Sequence, residues 1–246
     1  MHFRSFLESV TLTNFLPMDF KNFVTLILIL AVAFIPLLFG SRNKVRIFPK
    51  LKYFIPAIIF SGAIFLIWDN RFSQIGIWTY NPEYLSGKEI LNLPWERWLY
   101  YLIISWVSLF VYEWVKIKFG ELKYDNVSLA ISLVLFVLFG LVAFFSRQKL
   151  YSFFTFFLLA IYFGYTIFRN RFKSHLTSFY ISFLILLIPY FILSVILVKL
   201  PVISYNSQYT LQFRLLQLPL ENLVGFFLLH FINTTITEYL AERRFY

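Results

Sequence analysis

Residues Tyr80–Trp114 read YNPEYLSGKEILNLPWERWLYYLIISWVSLFVYEW, and residues Tyr205–Tyr239 read YNSQYTLQFRLLQLPLENLVGFFLLHFINTTITEY. The second stretch repeats the first at an offset of 125 residues, with no gap. Tyr80-Asn81 answers Tyr205-Asn206, and Tyr84 answers Tyr209. Leu93-Pro94-x-Glu96 answers Leu218-Pro219-x-Glu221, and Glu113 answers Glu238. Lys44 and Arg46 answer Arg169 and Arg171 at the same offset, so the repeat extends upstream. A duplication of this length settles the architecture before any single element is assigned.

Composition sets the class. The chain is 60% hydrophobic and its mean hydropathy is +0.73, which places it among membrane proteins. Its 33 Phe exceed what crossing a bilayer needs, since Leu, Ile and Val suffice for that. With no Cys, disulfides, thiolate metal sites and a thiol nucleophile are excluded. The net charge of +10 belongs to basic loops on one membrane face rather than to a nucleic-acid partner.

Apolar runs predict seven spans of roughly 20 residues each, the length a bilayer core requires. They are Phe23–Phe39, Tyr53–Trp68, Pro94–Lys116, Val127–Phe145, Leu150–Phe168, Ser178–Val198 and Pro219–Tyr239. Ala31-Val32-Ala33 resembles a signal-peptidase site, but the apolar run continues past it, so the first span is expected to stay uncleaved. The second span is expected to close on Asp69. Pro94 is expected at the first helical position, where a missing N–H costs nothing, and Pro189 should kink the sixth span. The fold class is therefore all-α integral membrane, with two parallel three-helix repeats joined by a linking span. The expected bounds are 20–118 for the first repeat, 119–148 for the linker and 149–240 for the second repeat. An odd linking span returns the chain to its starting face, so the repeats share an axis along the membrane normal. Of the 22 Lys and Arg, 13 fall on the face that holds the C-terminus. That face is expected inside, in a bacterial inner membrane.

Glu96 and Glu221 fall in the first turn of repeat-equivalent helices. One such Glu reads as a partner for the free N–H groups and the positive helix end. Two at identical places in a repeat, at membrane depth, read as a site. Glu113 and Glu238 lie 17 residues further on, about 25 Å away, and are expected to be solvated helix ends. Asp69 has Ser194 at its equivalent position. It is either a second carboxylate of one asymmetric site or the end of a span. The YNxxY elements read as ordered turns beside Glu96 and Glu221. His230 stands alone in mid-span, with no second His at ligand spacing, so no metal is expected.

Several chemistries lack their residues. There is no G-x-G fingerprint and no P-loop, hence no nucleotide cofactor. Asp occurs only at 19, 69 and 125, so no Asp-rich pair holds a magnesium diphosphate. The last span carries no Lys for a retinal Schiff base.

At Trp68-Asp69, Gly76-x-Trp78-x-Tyr80-Asn81-x-x-Tyr84-x-x-Gly87 and Leu93-Pro94-x-Glu96, the chain resembles the lycopene cyclase domain of the heterodimeric type. In that family two three-span domains act as a pair, as separate chains or fused, and the fused form matches this repeat. The resemblance implies an intramembrane β-cyclase that closes the ends of lycopene to β-ionone rings without net redox and without a cofactor. Its partners would be the hydrophobic polyene, membrane lipid and the paired repeat of the same chain, with no nucleic acid. It implies catalytic roles for Glu96 and Glu221, with Asp69 beside them. It further implies a substrate lining from Trp78, Tyr80, Asn81, Tyr84, Tyr205, Asn206 and Tyr209. A carboxylic acid would protonate the terminal double bond and a carboxylate would remove a proton after ring closure. The family motif continues Pro-x-Glu with a second acid, where this chain has Arg97 and Asn222. Arg97 beside Glu96 is expected to favour the ionised carboxylate. The missing acids leave open a carotenoid- or lipid-binding protein on the same scaffold. A transporter is disfavoured, because transporter sites lie near the midplane rather than at span ends.

Overall fold

The computed structural model describes residues 18–36, 48–120, 122, 124–169 and 172–242. Seven apolar helices carry the fold: α1 (Val24–Ala33), α2 (Leu51–Gln74), α3 (Trp95–Phe119), α4 (Asp125–Phe145), α5 (Leu150–Phe168), α6 (Leu176–Lys199) and α7 (Leu220–Glu242). Six are long and apolar enough to cross a membrane. The exception is α1, at 10 residues, or about 15 Å. Leu37–Phe39, the end of the expected first span, lies outside the described residues, as does most of the basic loop that follows it.

The repeat is structural as well as sequential. Helices α2 and α6 have the same length, 24 residues, and start 125 residues apart, at Leu51 and Leu176. The short elements that follow keep that spacing: β1 (Trp78–Tyr80) with β4 (Ile203–Tyr205), β2 (Glu89–Ile90) with β5 (Arg214–Leu215), and β3 (Leu93–Pro94) with β6 (Leu218–Pro219). Helix α2 runs six residues beyond the expected end at Trp68, so Asp69 is not a span terminus. Pro94 and Pro219 sit in β3 and β6, and the helices begin one residue later. Glu96 therefore holds the second helical position. Pro189 lies inside α6 without ending it.

Local chemistry directs each chain out of its helix. At the end of α2 the Ile77 N–H bonds the Phe72 carbonyl and the Gly76 N–H bonds that of Ser73, 3.0 Å each. This is a Schellman exit, and Gly76 supplies the positive φ, +78°, that it needs. In the second repeat Val202 N–H to Leu197 O is the equivalent bond. Pro201 stands where Gly76 would be and has no N–H to give. Asn81 and Asn206 then accept from the N–H of Glu83 and Gln208, capping a tight turn in each repeat. The hairpins β2–β3 and β5–β6 close through Leu91-Asn92 and Leu216-Gln217, all four with positive φ, the geometry of a type I′ turn.

Strands β1 and β4 pair antiparallel, Trp78 opposite Tyr205, Thr79 opposite Ser204 and Tyr80 opposite Ile203. Thr79 and Ser204 are repeat equivalents, so a two-fold axis passes between them. The flanking bonds obey it: Asn81 N–H to Val202 O and Asn206 N–H to Ile77 O. Helices cross the axis in matching pairs, α2 against α7 and α3 against α6, with α3 against α7 at the centre. Accordingly α3 and α7 are the most buried spans, and α4 is the most exposed to lipid.

The far end of the bundle corrects one expectation. Glu113 and Glu238 are 2% and 5% exposed, not solvated. Lys50 pairs with Glu113, and His175 at the equivalent position approaches Glu238 at 3.7 Å. Lys116 bonds Glu238 and lies 3.9 Å from Glu113, so it ties the repeats together. Carboxylates shared across the axis leave solvent because cations replace their water.

The axis is testable by cross-linking, since the chain has no native Cys. Thr79→Cys with Ser204→Cys should form an intramolecular disulfide under mild oxidation, because directly opposed strand residues meet its distance requirement. Thr79→Cys with Ser207→Cys should not. Peptide mass spectrometry of the two double variants decides it.

Candidate active site between the repeats

A cavity lies on the two-fold axis beneath β1 and β4. Its walls come in repeat-related pairs: Phe65 with Tyr190, Arg97 with Asn222, and Tyr101 with Phe226. Trp68, Trp78 and Tyr100 from the first repeat, with Tyr151 and Tyr205 from the second, complete an aromatic lining. The volume is about 70 Å³, under half of the roughly 150 Å³ that holds a benzene ring. The last atoms of an open chain fit, and a closed six-membered ring needs the walls to move apart.

Asp69 stands behind the first-repeat wall, fully buried. One carboxylate oxygen accepts from Trp78 Nε1 at 2.8 Å and from the Tyr80 hydroxyl. The other accepts from Arg97 Nε at 2.7 Å and from the Tyr101 hydroxyl at 3.1 Å. Every side of the carboxylate is engaged. Arg97 also donates from Nη2 to the Tyr101 hydroxyl at 3.0 Å. Its guanidinium lies 4.5 Å from the Tyr100 ring centre and 5.5 Å from that of Tyr80, within cation–π range. Arg97 therefore serves Asp69 and not Glu96, contrary to the sequence expectation. An acid one helix away, bonded through Nε at 2.7 Å, outcompetes a neighbour whose side chain points elsewhere.

The second half breaks the symmetry. Ser194 replaces Asp69, and Asn222 replaces Arg97. Asn222 donates to the Tyr205 hydroxyl and accepts from Tyr151 at 2.7 Å, and its carbonyl accepts from Tyr190 at 3.0 Å. Burial pushes the Tyr80 phenol well above its usual range, and Arg97 counters only part of this. Burial likewise raises Tyr205. Both stay protonated; Tyr80 donates to Asp69, and Tyr205 accepts from Asn222.

Glu96 and Glu221 are fully buried and keep the symmetry. Glu96 accepts from the Ser86 N–H at 2.8 Å, and Glu221 from the equivalent Leu211 N–H at 2.8 Å. Ser152 adds a bond to Glu221. In each, Oε2 has no hydrogen-bond partner among the described residues. Each Glu thus ties its connection to its helix with one oxygen and leaves the other free. Neither lines the cavity, but each precedes a wall residue, Arg97 or Asn222.

Of the expected lining, Trp78 and Tyr205 reach the cavity. Tyr80 reaches Asp69 behind it. Asn81 and Asn206 are engaged as turn caps, and Tyr84 and Tyr209 do not line the cavity. The sequence reading missed Tyr100, Tyr101, Tyr151 and Tyr190. Tyr101, four residues after Arg97, lies on the same helix face, and that spacing was a usable signal. Tyr151 carried none, because its place depends on how α5 packs. Among the described residues, no three His, Cys, Asp or Glu side chains gather as metal ligands.

The lycopene cyclase family model matches residues 21–115 and 148–240, one segment per repeat. The chain belongs to the lycopene cyclase family. Neither the comparison with curated proteins nor that with solved structures gave a significant match. Membership points to carotenoid cyclisation in general, with a hydrophobic carotenoid substrate in a membrane setting. The two matched segments are the two halves that enclose the cavity.

The Asp69–Arg97 pair has a measurable worth. Arg97→Met alone should destabilise the protein by about 3–5 kcal/mol, because it strands a buried carboxylate. Asp69→Leu combined with Arg97→Met should lose much less. Unfolding in detergent, followed by tryptophan fluorescence, gives the double-mutant cycle.

Proposed function

We propose that the protein is an intramembrane cyclase that isomerises the open end of a linear carotenoid, lycopene or a close relative, to a β-ionone ring. The observation that carries this reading is the pair of repeat-equivalent glutamates. Both are buried, both have a free Oε2, and each is adjacent in sequence to a wall of the shared aromatic cavity. In this mechanism one glutamic acid, set back from the cavity wall, delivers its proton from Oε2 to the terminal double bond once the walls move apart. The resulting cation is attacked by the next double bond, and the new carbon–carbon bond closes the ring. A carboxylate then removes a ring proton, so the product is an isomer of the substrate. Faces of Trp68, Trp78 and Tyr190 stabilise the cation. Asp69 works as a positioning residue, since all its hydrogen-bonding capacity is spent on Arg97, Trp78 and the tyrosines. The excess of basic residues in the loops on one face supports a C-terminus on the cytoplasmic side of a bacterial inner membrane.

A second reading, polyene binding without turnover, draws on two observations: Arg97 and Asn222 in place of acids, and a cavity smaller than a closed ring. One experiment separates them. Expressed in a lycopene-accumulating bacterium, the protein should convert lycopene to monocyclic or bicyclic pigment, resolved by chromatography of the extract. Glu96→Gln with Glu221→Gln should cut conversion by about 100-fold or more, the usual worth of an acid–base pair. Unchanged lycopene from the wild type, with the protein verified in the membrane, would establish the binding reading instead.

A further inference from the structure

The charged wall of the cavity is not needed to bind a hydrocarbon, and ring closure does not use it. A guanidinium next to a forming carbocation repels it, and a purely apolar wall would accept a polyene end at lower cost. Arg97 spends Nε on Asp69 and Nη2 on Tyr101, which leaves Nη1. Tyr205 accepts from Asn222 Nδ2, which leaves its own O–H. Arg97 and Tyr205 belong to opposite repeats and line the same cavity. The strong acceptors around it are already taken. Asp69 receives four bonds, and Asn222 receives Tyr151 on its side-chain oxygen and Tyr190 on its carbonyl.

We propose that this cavity recognises a neutral acceptor oxygen at the end of the polyene, held between Arg97 Nη1 and the Tyr205 hydroxyl. The ligand class is then an oxygen-ended carotenoid, a carbonyl ahead of a hydroxyl, held more tightly than the plain hydrocarbon. Two donors with no vacant strong acceptor favour an atom that only accepts. Asp69 already balances the Arg97 charge, so a carboxylate end would enter as a buried charge without a counter-ion. The volume of about 70 Å³ suits a terminal group of a few atoms. The inference rests on reading this cavity as the polyene site, but it does not require turnover.

The test uses the full chain in lipid nanodiscs, with quenching of tryptophan fluorescence as the readout, since Trp68 and Trp78 are on the wall. The probes are a polyene aldehyde (an apocarotenal), a polyene alcohol of the same length, and lycopene. The aldehyde should bind at least tenfold more tightly than lycopene, with the alcohol between them. Tyr205→Phe should reduce that preference about tenfold. Because Arg97→Met alone strands Asp69, the charge is removed with the Asp69→Leu and Arg97→Met pair, which should abolish the preference. Equal affinities for aldehyde and lycopene overturn the inference, and so does a preference that survives both changes. Lycopene cyclisation is scored separately on the same preparations. Cyclisation without aldehyde preference overturns this inference and leaves the cyclase reading standing. Preference without cyclisation upholds the inference and removes the cyclase reading.

Discussion

Thr79 faces Ser204 across an antiparallel strand pair, and the two residues are equivalents in a duplicated chain. That contact imposes two-fold symmetry on the bundle. Strands that pair about their own equivalents place both connections at the same end. The helices that feed them must then run in parallel sets, and α3 and α7 must meet at the centre. The Schellman exit at Gly76 and the 6→1 bond at Val202 aim the two strands toward each other. Without that pairing the halves would keep helix packing and the Lys116 ion pairs, but the cavity beneath the strands would have no roof.

The backbone is symmetric, and the polar side chains are not. At the strand end, Asp69 and Arg97 face Ser194 and Asn222, so one wall of the cavity is charged and the other is neutral. At the far end, Lys50 and His175 occupy equivalent places beside Glu113 and Glu238, and a single Lys116 serves both acids. A buried carboxylate in a membrane protein persists only where a cation and donors replace its water. Both charged ends meet that condition, and each does so through contacts between helices. Charge is therefore what locks the helices, while the mid-membrane core is held by aromatic packing such as Phe163 on Phe231, 4.8 Å between ring centres.

Glu96 and Glu221 combine two readings that the sequence set against each other. Each fixes the connection before its helix through one backbone N–H, which is the structural role of a first-turn acid. Each also keeps a buried oxygen with no partner among the described residues, as moving a proton requires. The structural bond orients the carboxyl so that only one oxygen is free. The same loop that needs the glutamate for its own order thus presents it in a defined geometry.

Sequence alone determined the membrane class, the repeat and its offset, and the positions of six long helices. These depend on composition and periodicity, which are local. It indicated a turn at each YNxxY element but put Asn81 and Asn206 in the substrate lining, and the structure makes them turn caps instead. The bounds of α2 were misjudged, since the polar run after Trp68 looks like a loop until Asp69, Trp78 and Arg97 are brought together. The solvation of Glu113 and Glu238 was misjudged for the same reason. Their partners lie 63 and 122 residues away, in Lys50 and Lys116. Only the tertiary structure decided that Arg97 belongs to Asp69, that Tyr151 and Tyr190 wall the cavity, and that one cavity on the axis is lined by both repeats. Charge pairing and cavity shape depend on which helix faces meet, and that is a property of the packed bundle, not of any one segment.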